Sequence, residues 1–269
     1  MALPQDIHFF KYQGTGNDFV MLDDRQANWD LSHTAGVRAL CDRKFGIGAD
    51  GLILIRNHAG YDFEMVYFNA DGSQSFCGNG SRCALAFAAS LGIIQDKAKF
   101  LACDGEHEGY LQGDQIGLHM GDVSEISESL GDVYVNTGSP HHVRWVERLE
   151  EYPVLEQGKL LRYHERYAPG GSNVNFVQKL GHTEIFVRTY ERGVENETLS
   201  CGTGVTAAAL VFGAATGHQE VRVRTLGGNL SVTFKGNSKE GFSDIWLIGP
   251  AQKVFSGTFS TVLLEGIKN

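Results

Sequence analysis

"SFCGNGSRCALAFAASLG" runs from Ser75 to Gly92, and its reading decides the fold. Cys77 stands directly before Gly78-Asn79-Gly80, and an alanine-rich apolar run follows. Alanine is the best helix former and Gly92 is placed as a stop, so the pattern predicts a helix over about 79–91. That helix is apolar nearly all round, which predicts burial at the centre of a domain. "LSCGTGVTAAALVFGAATG" (Leu199–Gly217) repeats the arrangement, with Cys201 before Gly202-Thr203-Gly204 and a second helix predicted over about 203–215.

The surroundings repeat as well. "LILI" (Leu52–Ile55) and "YDFEMVYF" (Tyr61–Phe68) precede the first cysteine, and three short β-type runs over 98–103, 108–112 and 115–120 follow it. "NVNFVQ" (173–178) and "TEIFVRTY" (183–190) precede the second, and runs over 220–225, 229–234 and 244–249 follow. Further helices are predicted over Asp30–Lys44 and Leu155–Tyr167. The order of strand, strand, Cys-Gly-x-Gly, helix and three strands therefore occurs twice. It predicts an internal duplication into two α/β domains with one thiol each. The first is expected over 1–119, with a last strand near 257–265 returning to it so that 257–269 belong there, and the second over 120–256.

Composition narrows the function. The chain has 269 residues, a formal net charge of −9 and a pI near 5.5, which argues against nucleic-acid binding. "MALPQDIHFF" lacks the basic-then-apolar pattern of a signal peptide, and the apolar stretches are too short to span a bilayer. A cytoplasmic location with no membrane partner is expected. Five cysteines (Cys41, Cys77, Cys83, Cys103 and Cys201) contain no CxxC pair and form a poor disulfide framework, so reduced thiols are expected. Cys41, Cys83 and Cys103 read as small buried hydrophobes. The His and Cys spacings match no metal site.

A thiol at a helix start is different. The first helical N–H groups lack internal partners and carry the positive end of the helix dipole. They favour a thiolate over a thiol and also receive a carboxylate, which glycines allow to approach closely. An unperturbed cysteine is only about 3% thiolate at pH 7. Two such thiols suggest a cleft between domains in which one removes a proton from a carbon and the other returns one to the opposite face. The outcome is inversion of a stereocentre beside a carboxylate.

"GTGNDF" (Gly14–Phe19), "FNADGS" (Phe68–Ser73), "CGNGSRC" (Cys77–Cys83), "SPHHV" (Ser139–Val143), "YERGVENETLSCGTG" (Tyr190–Gly204) and "LGG" (Leu226–Gly228) occur in this order. Together they resemble the diaminopimelate epimerase family over nearly the whole chain. The resemblance implies two pseudo-symmetric domains, each a curved mixed or antiparallel sheet wrapped around a central helix. It implies cofactor-free interconversion of LL- and meso-2,6-diaminopimelate, a precursor of lysine and peptidoglycan, and it admits a homodimer. It implies Cys77 and Cys201 as the acid/base pair, and Gly78, Asn79, Gly202 and Thr203 as the backbone cradle for the reacting carboxylate. Asn17, Asn69 and Asn173 become substrate-binding amides, and Glu191 and Arg192 hold the distal ammonium and carboxylate. Glu191 and His141 also occupy positions that tune the thiols, where a histidine can accept a proton or stabilise a thiolate.

Two departures stand out. Ser139 replaces the asparagine of an Asn-Pro-His motif, and Gly51 stands where some members carry a substrate-contacting glutamine. Other readings compete. "GIGADG" (Gly46–Gly51) fits G-x-G-x-x-G, but a helix pattern precedes it and a strand follows, the reverse of a dinucleotide fingerprint. A thiol–disulfide oxidoreductase pairing Cys77 with Cys83 leaves Cys201 unexplained. A proline, hydroxyproline or glutamate racemase on the same fold would share the thiols, and a non-catalytic binding protein would need only the cradles.

Overall fold

In this computed structural model residues 6–30 and 32–265 are described. Residues 1–5 and 266–269, assigned above to the first domain, and residue 31 of the predicted 30–44 helix lie outside them. The first strands and helices are β1 (Asp6–Gly14), β2 (Asn17–Asp23), α1 (Thr34–Cys41), β3 (Gly51–Arg56), β4 (Phe63–Asn69), α2 (Gly78–Ser90), β5 (Lys97–Ala102), β6 (Gly105–Gln112) and β7 (Gln115–Met120). Then come β8 (Ile126–Ser129), β9 (Asp132–Asn136), β10 (Pro140–Trp145), α3 (Val154–Arg162), β11 (Asn173–Lys179), β12 (Glu184–Glu191) and β13 (Asn196–Thr198). The chain continues through α4 (Gly202–Thr216), β14 (Glu220–Thr225), β15 (Gly228–Asn237), β16 (Gly241–Pro250) and β17 (Gln252–Ser260).

Contacts divide the chain into two units, Met1–Leu118 with Pro250–Asn269, and His119–Gly249. In the first, the strand order is β17-β1-β2-β3-β4-β5-β6-β7. The pairs β2/β3 and β4/β5 are parallel, joined by α1 and α2, and the others are antiparallel. In the second, the order is β8-β9-β10-β11-β12-β14-β15-β16, with β10/β11 and β12/β14 parallel across α3 and α4. The two units thus run through one set of pairings twice, and the sheet is mixed, as expected.

Each sheet curves around its second helix. α2 touches β1, β2, β3, β4, β6 and β17, and α4 touches β9, β10, β11, β12, β14 and β15. The inner strands are therefore covered on both faces. Val20, Leu22, Leu52 and Leu54 pack against Val37 and Leu40 of α1. Phe19 and Ile53 face the other way, onto Gly80 of α2, where an added Cβ would lie 3.1 Å from Ile53. This is why β3 reads as an unbroken apolar run instead of alternating. In the second unit Val174 and Phe176 face α3, while Asn175 faces Gly204 of α4. Gly92 (φ 72°) and Gly217 (φ 78°) end the two central helices in the left-handed region, as their positions predict.

Some boundaries differ from the expectation. α1 is shorter than 30–44 because the Asp42 carboxylate accepts the N–H groups of Lys44 and Phe45 and turns the chain. The 155–167 helix breaks after Arg162 and resumes as a 3-10 turn over Glu165–Tyr167. The last strand lies earlier than 257–265, over Gln252–Ser260, and Thr261–Glu265 form a 3-10 helix that packs on α1.

α4 passes close to β15 at Gly213, where a Cβ would sit 2.3 Å from Phe234 Cζ and 2.6 Å from His218 O. Gly213→Ala gains about 1 kcal/mol of helix propensity but incurs overpacking of about 1–3 kcal/mol. A net loss of stability is expected in urea titration; a raised midpoint would show that α4 can shift. Asp18 ties β2 to β1 and to the 42–50 loop through Lys11 (2.7 Å) and Arg43 (2.6 Å). Burial alone would raise its pKa, but Arg43 and Lys11 prevail and hold it at about 2. The folded value lies below the unfolded one, so this stabilisation is present above about pH 4 and is lost as pH falls through about 2. Asp18→Asn is expected to cost about 2 kcal/mol at pH 7, with the gap to wild type narrowing below pH 4.

Candidate active site

Both cysteines are helix N-caps with nearly the same extended backbone, φ −140°, ψ 111° at Cys77 and φ −120°, ψ 113° at Cys201. Each carbonyl accepts the first intrahelical bond, from Ser81 N–H to Cys77 and from Val205 N–H to Cys201, both 2.8 Å. The N–H groups of Gly78 and Asn79, and of Gly202 and Thr203, belong to first turns and have no intrahelical acceptor. A helix start of this kind is where an anion can bind, and each of the two carries a cysteine as its N-cap.

The surroundings of the two thiols differ. In the first unit, Cys77 Sγ accepts Gly80 N–H at 3.4 Å and lies 3.6 Å from Asn17 Oδ1. Asn17 Nδ2 donates to Asp50 Oδ2 at 2.7 Å, which fixes the amide so that its oxygen faces the thiol and Asn79 Nδ2 (3.3 Å). A Thr15-Gly16 turn with both φ positive (50° and 85°) sets Asn17 at the start of β2. Arg82 Nη2 donates to Thr15 Oγ1 (3.1 Å) and Asn79 Oδ1 (3.0 Å), clamping this turn to α2. Arg82 is fully buried, and its Nε and Nη1 have no hydrogen-bond partner among the described residues. Burial lowers its pKa to about 10, against the pull of Cys83 and Cys77. Asn69 closes the Phe68–Ser73 turn: Nδ2 donates to Ser73 and Ser75, and Oδ1 accepts Tyr67 Oη at 2.9 Å. The Tyr67 ring fills the space a side chain at Gly51 would take, with Cε2 only 2.5 Å from an added Cβ.

In the second unit Cys201 is buried (6% exposed), and its Sγ lies 3.5 Å from Thr203 Oγ1. Thr137 of the β9–β10 turn donates to Thr203 O at 2.9 Å, the counterpart of the Thr15 contact. Ser139 is half-buried, and its carbonyl accepts Thr137 N–H. Asn173 donates to Pro140 O (3.0 Å) and accepts Arg192 N–H (2.9 Å), joining β10 to the end of β12. Glu191 accepts Thr198 Oγ1 at 2.8 Å. His141 is fully buried and held by Asn175; burial first, and Arg192 second, depress its pKa to about 3. His142 points the other way, between Tyr167 Oη (2.7 Å) and Asp132 (3.0 Å), where it braces the fold.

Asp50, Tyr67, Arg82, Asn175 and Thr189 escape the sequence reading. The clearest available signal is "NVNF" (173–176), whose alternation puts Asn173 and Asn175 on one strand face. The remaining thiols do not resemble a redox centre. Burial pushes Cys41 up to about 12 and raises Cys83 strongly, while Cys103 is exposed beside the β5–β6 turn, contrary to the buried role expected. "GIGADG" joins α1 to β3, and its glycines serve packing: a Cβ at Gly46 would lie 2.0 Å from Ala39 O. Among the described residues no group of three His, Cys, Asp or Glu side chains is placed to hold a metal, and no helix is long and apolar enough to cross a membrane.

The family profile for diaminopimelate epimerase matches residues 9–125 and 133–254. The diaminopimelate epimerase of Flavobacterium psychrophilum is 47% identical over 93% of this chain and 98% of its own length. That of Aquifex aeolicus is 41% identical over 96% and 100%. Among solved structures, a PhzF-family phenazine biosynthesis protein of Bacillus anthracis superposes with a TM-score of 0.74 at 13% identity, covering 95% of this chain and 99% of its own. A hydroxyproline epimerase of Agrobacterium vitis gives 0.68 at 15% identity, covering 97% and 94%. These two share the fold. The sequence matches span both cysteine-capped helices, and the chain belongs to the diaminopimelate epimerase family of isomerases.

Proposed function

We propose that the protein interconverts LL- and meso-2,6-diaminopimelate by a two-base reaction of Cys77 and Cys201, in lysine and peptidoglycan-precursor synthesis in the cytoplasm. One thiolate takes the α-proton, breaking C–H and forming S–H. The electron pair moves into the carboxylate, which becomes enediolate-like. The other thiol then delivers its proton to the opposite face and is left as thiolate. No electrons are gained or lost, so the step requires no redox partner. The observation that carries this reading is the duplicated cap: two cysteines with nearly the same extended backbone, each at the start of a helix whose first N–H groups have no intrahelical acceptor. Those groups stabilise charge as it develops on the carboxylate.

Gly78 and Asn79, with Gly202 and Thr203, supply the cradles in this reading. Asn17, Asn69 and Asn173 orient the substrate, and Glu191 and Arg192 receive its distal ammonium and carboxylate. Glu191 and His141 shape the surroundings of the thiols.

Exchange of the α-proton in D2O, followed by NMR with reductant present, tests the assignment. LL-diaminopimelate is expected to gain deuterium at one α-carbon and yield meso product. Exchange with L-proline, trans-4-hydroxy-L-proline or L-glutamate alone would overturn the substrate. Cys77→Ala and Cys201→Ala are each expected to lower kcat by at least about 10³-fold with unchanged circular dichroism; substantial turnover by either variant sinks the two-base scheme. Arg192→Ala is expected to raise KM by about 10- to 100-fold, the loss of one charge-assisted bidentate contact. An unchanged KM would remove Arg192 from the distal site.

A further inference from the structure

We infer that Asn175 is a positioning residue that locks His141 as the neutral tautomer protonated on Nε2, making His141 a hydrogen-bond donor in the reaction and not a base. The lock is a property of the second unit alone; its catalytic consequence rests on the function proposed above.

The residues sit on three neighbouring strands. Asn175 of β11 is registered with Val143 of β10 on one side and with Thr189 of β12 on the other, and His141 lies two residues before Val143. Asn175 Nδ2 is 3.2 Å from His142 O and 3.0 Å from His141 Nδ1. A peptide carbonyl can only accept, so His142 O fixes which end of the amide points this way. Reversing the amide would set two carbonyl oxygens against each other. In that orientation Thr189 Oγ1 donates to Asn175 Oδ1 at 2.9 Å, a contact a hydroxyl can make with either end of an amide. Both amide hydrogens are then committed, one to His142 O and one to His141 Nδ1. A ring nitrogen that receives an N–H carries no proton, so the proton resides on Nε2.

The amide has no room to swing. Gly204, in the first turn after Cys201, approaches Asn175 so closely that a Cβ would lie 2.3 Å from Oδ1. His141 Nε2 is buried and has no hydrogen-bond partner among the described residues. A buried N–H without a partner is costly, and an anionic atom, a thiolate sulfur or a carboxylate oxygen, satisfies it. Burial and Arg192 also keep the ring neutral at working pH. With Nδ1 occupied and Nε2 already protonated, the ring cannot take a proton from a cysteine without giving up Asn175.

Long-range 1H–15N spectra of protein labelled at histidine read the tautomer directly, with His141→Asn supplying the assignment among the ten histidines. Wild type without substrate is expected to show His141 with a protonated Nε2 and a bare Nδ1. Asn175→Asp replaces the donor by an acceptor. It is expected to put a proton on Nδ1 and to lower kcat about 10²-fold, with KM within about 3-fold of wild type. A wild-type signal with Nδ1 protonated overturns the lock. An Asn175→Asp protein with the altered tautomer and full kcat overturns the donor role. Should Asn175→Asp fail to fold, Asn175→Leu replaces it. Leucine keeps much of the volume but removes the amide donor to Nδ1, and loss of the single state with bare Nδ1 is expected; a wholly unchanged spectrum counts against the lock. Failure of α-proton exchange with diaminopimelate would refute the proposed function while leaving the tautomer assignment standing.

Discussion

A helix buried on nearly every side needs something to cover every side, and α2 and α4 impose that demand on the rest of the protein. The sheets answer by curving around them, and the outer helices α1 and α3 cover the backs of the inner strands. Wrapping satisfies the flanks of a helix but not its end. The first N–H groups of α2 and α4 still need acceptors, and the sequence places a cysteine and glycines there instead of the usual serine or aspartate cap. Glycine keeps the approach open, and sulfur is a weak acceptor that leaves the dipole largely unspent. The same packing that buries the helix therefore produces a polarised point at its tip.

The repeated topology does not carry repeated side chains. Five residues beyond Cys77 the buried guanidinium of Arg82 reaches the turn before β2. Five residues beyond Cys201 stands Thr206, whose hydroxyl bonds back to Gly202 O. Cys77 takes a helix N–H on sulfur, whereas Cys201 makes no such cap. One tip is underlain by a cation and the other is flanked by a neutral polar relay through Thr189, Asn175 and His141. A symmetric frame thus holds two chemically identical thiols in unlike surroundings.

Much of this was legible in the sequence because it rests on local signals. The cysteine-glycine starts, the alanine-rich runs and the left-handed glycines 92 and 217 each act within a few residues, and the duplication followed from their order. β1, β2 and β8–β10 were not legible. β1 and β2 share a two-residue turn whose Thr15 has a positive φ, which no turn signature in "QGTGN" announces. The supporting residues were hidden for a different reason. Asp50, Arg82, Asn175 and Thr189 act through partners 32 or more positions away, or on a neighbouring strand, and only the pairing of strands brings them into contact. Cys103 shows the converse, since residue type alone suggested burial and its place beside a turn decided exposure.

The pairing of β1 with β17 joins Asp6 to Ser260 and links the first described strand to the last. Phe9 packs on Phe255 and Phe259, and Leu264 joins the α1 cluster. The second unit, by contrast, is one continuous segment. As the chain leaves the ribosome, the first unit is the first to be made and the last to have all its parts. The second can close while β1 still presents a bare edge and an uncovered Phe9, the kind of surface that recruits other chains. The order of synthesis and the order of completion are inverted, and β17 is the strand that closes the bare edge of β1 and covers Phe9.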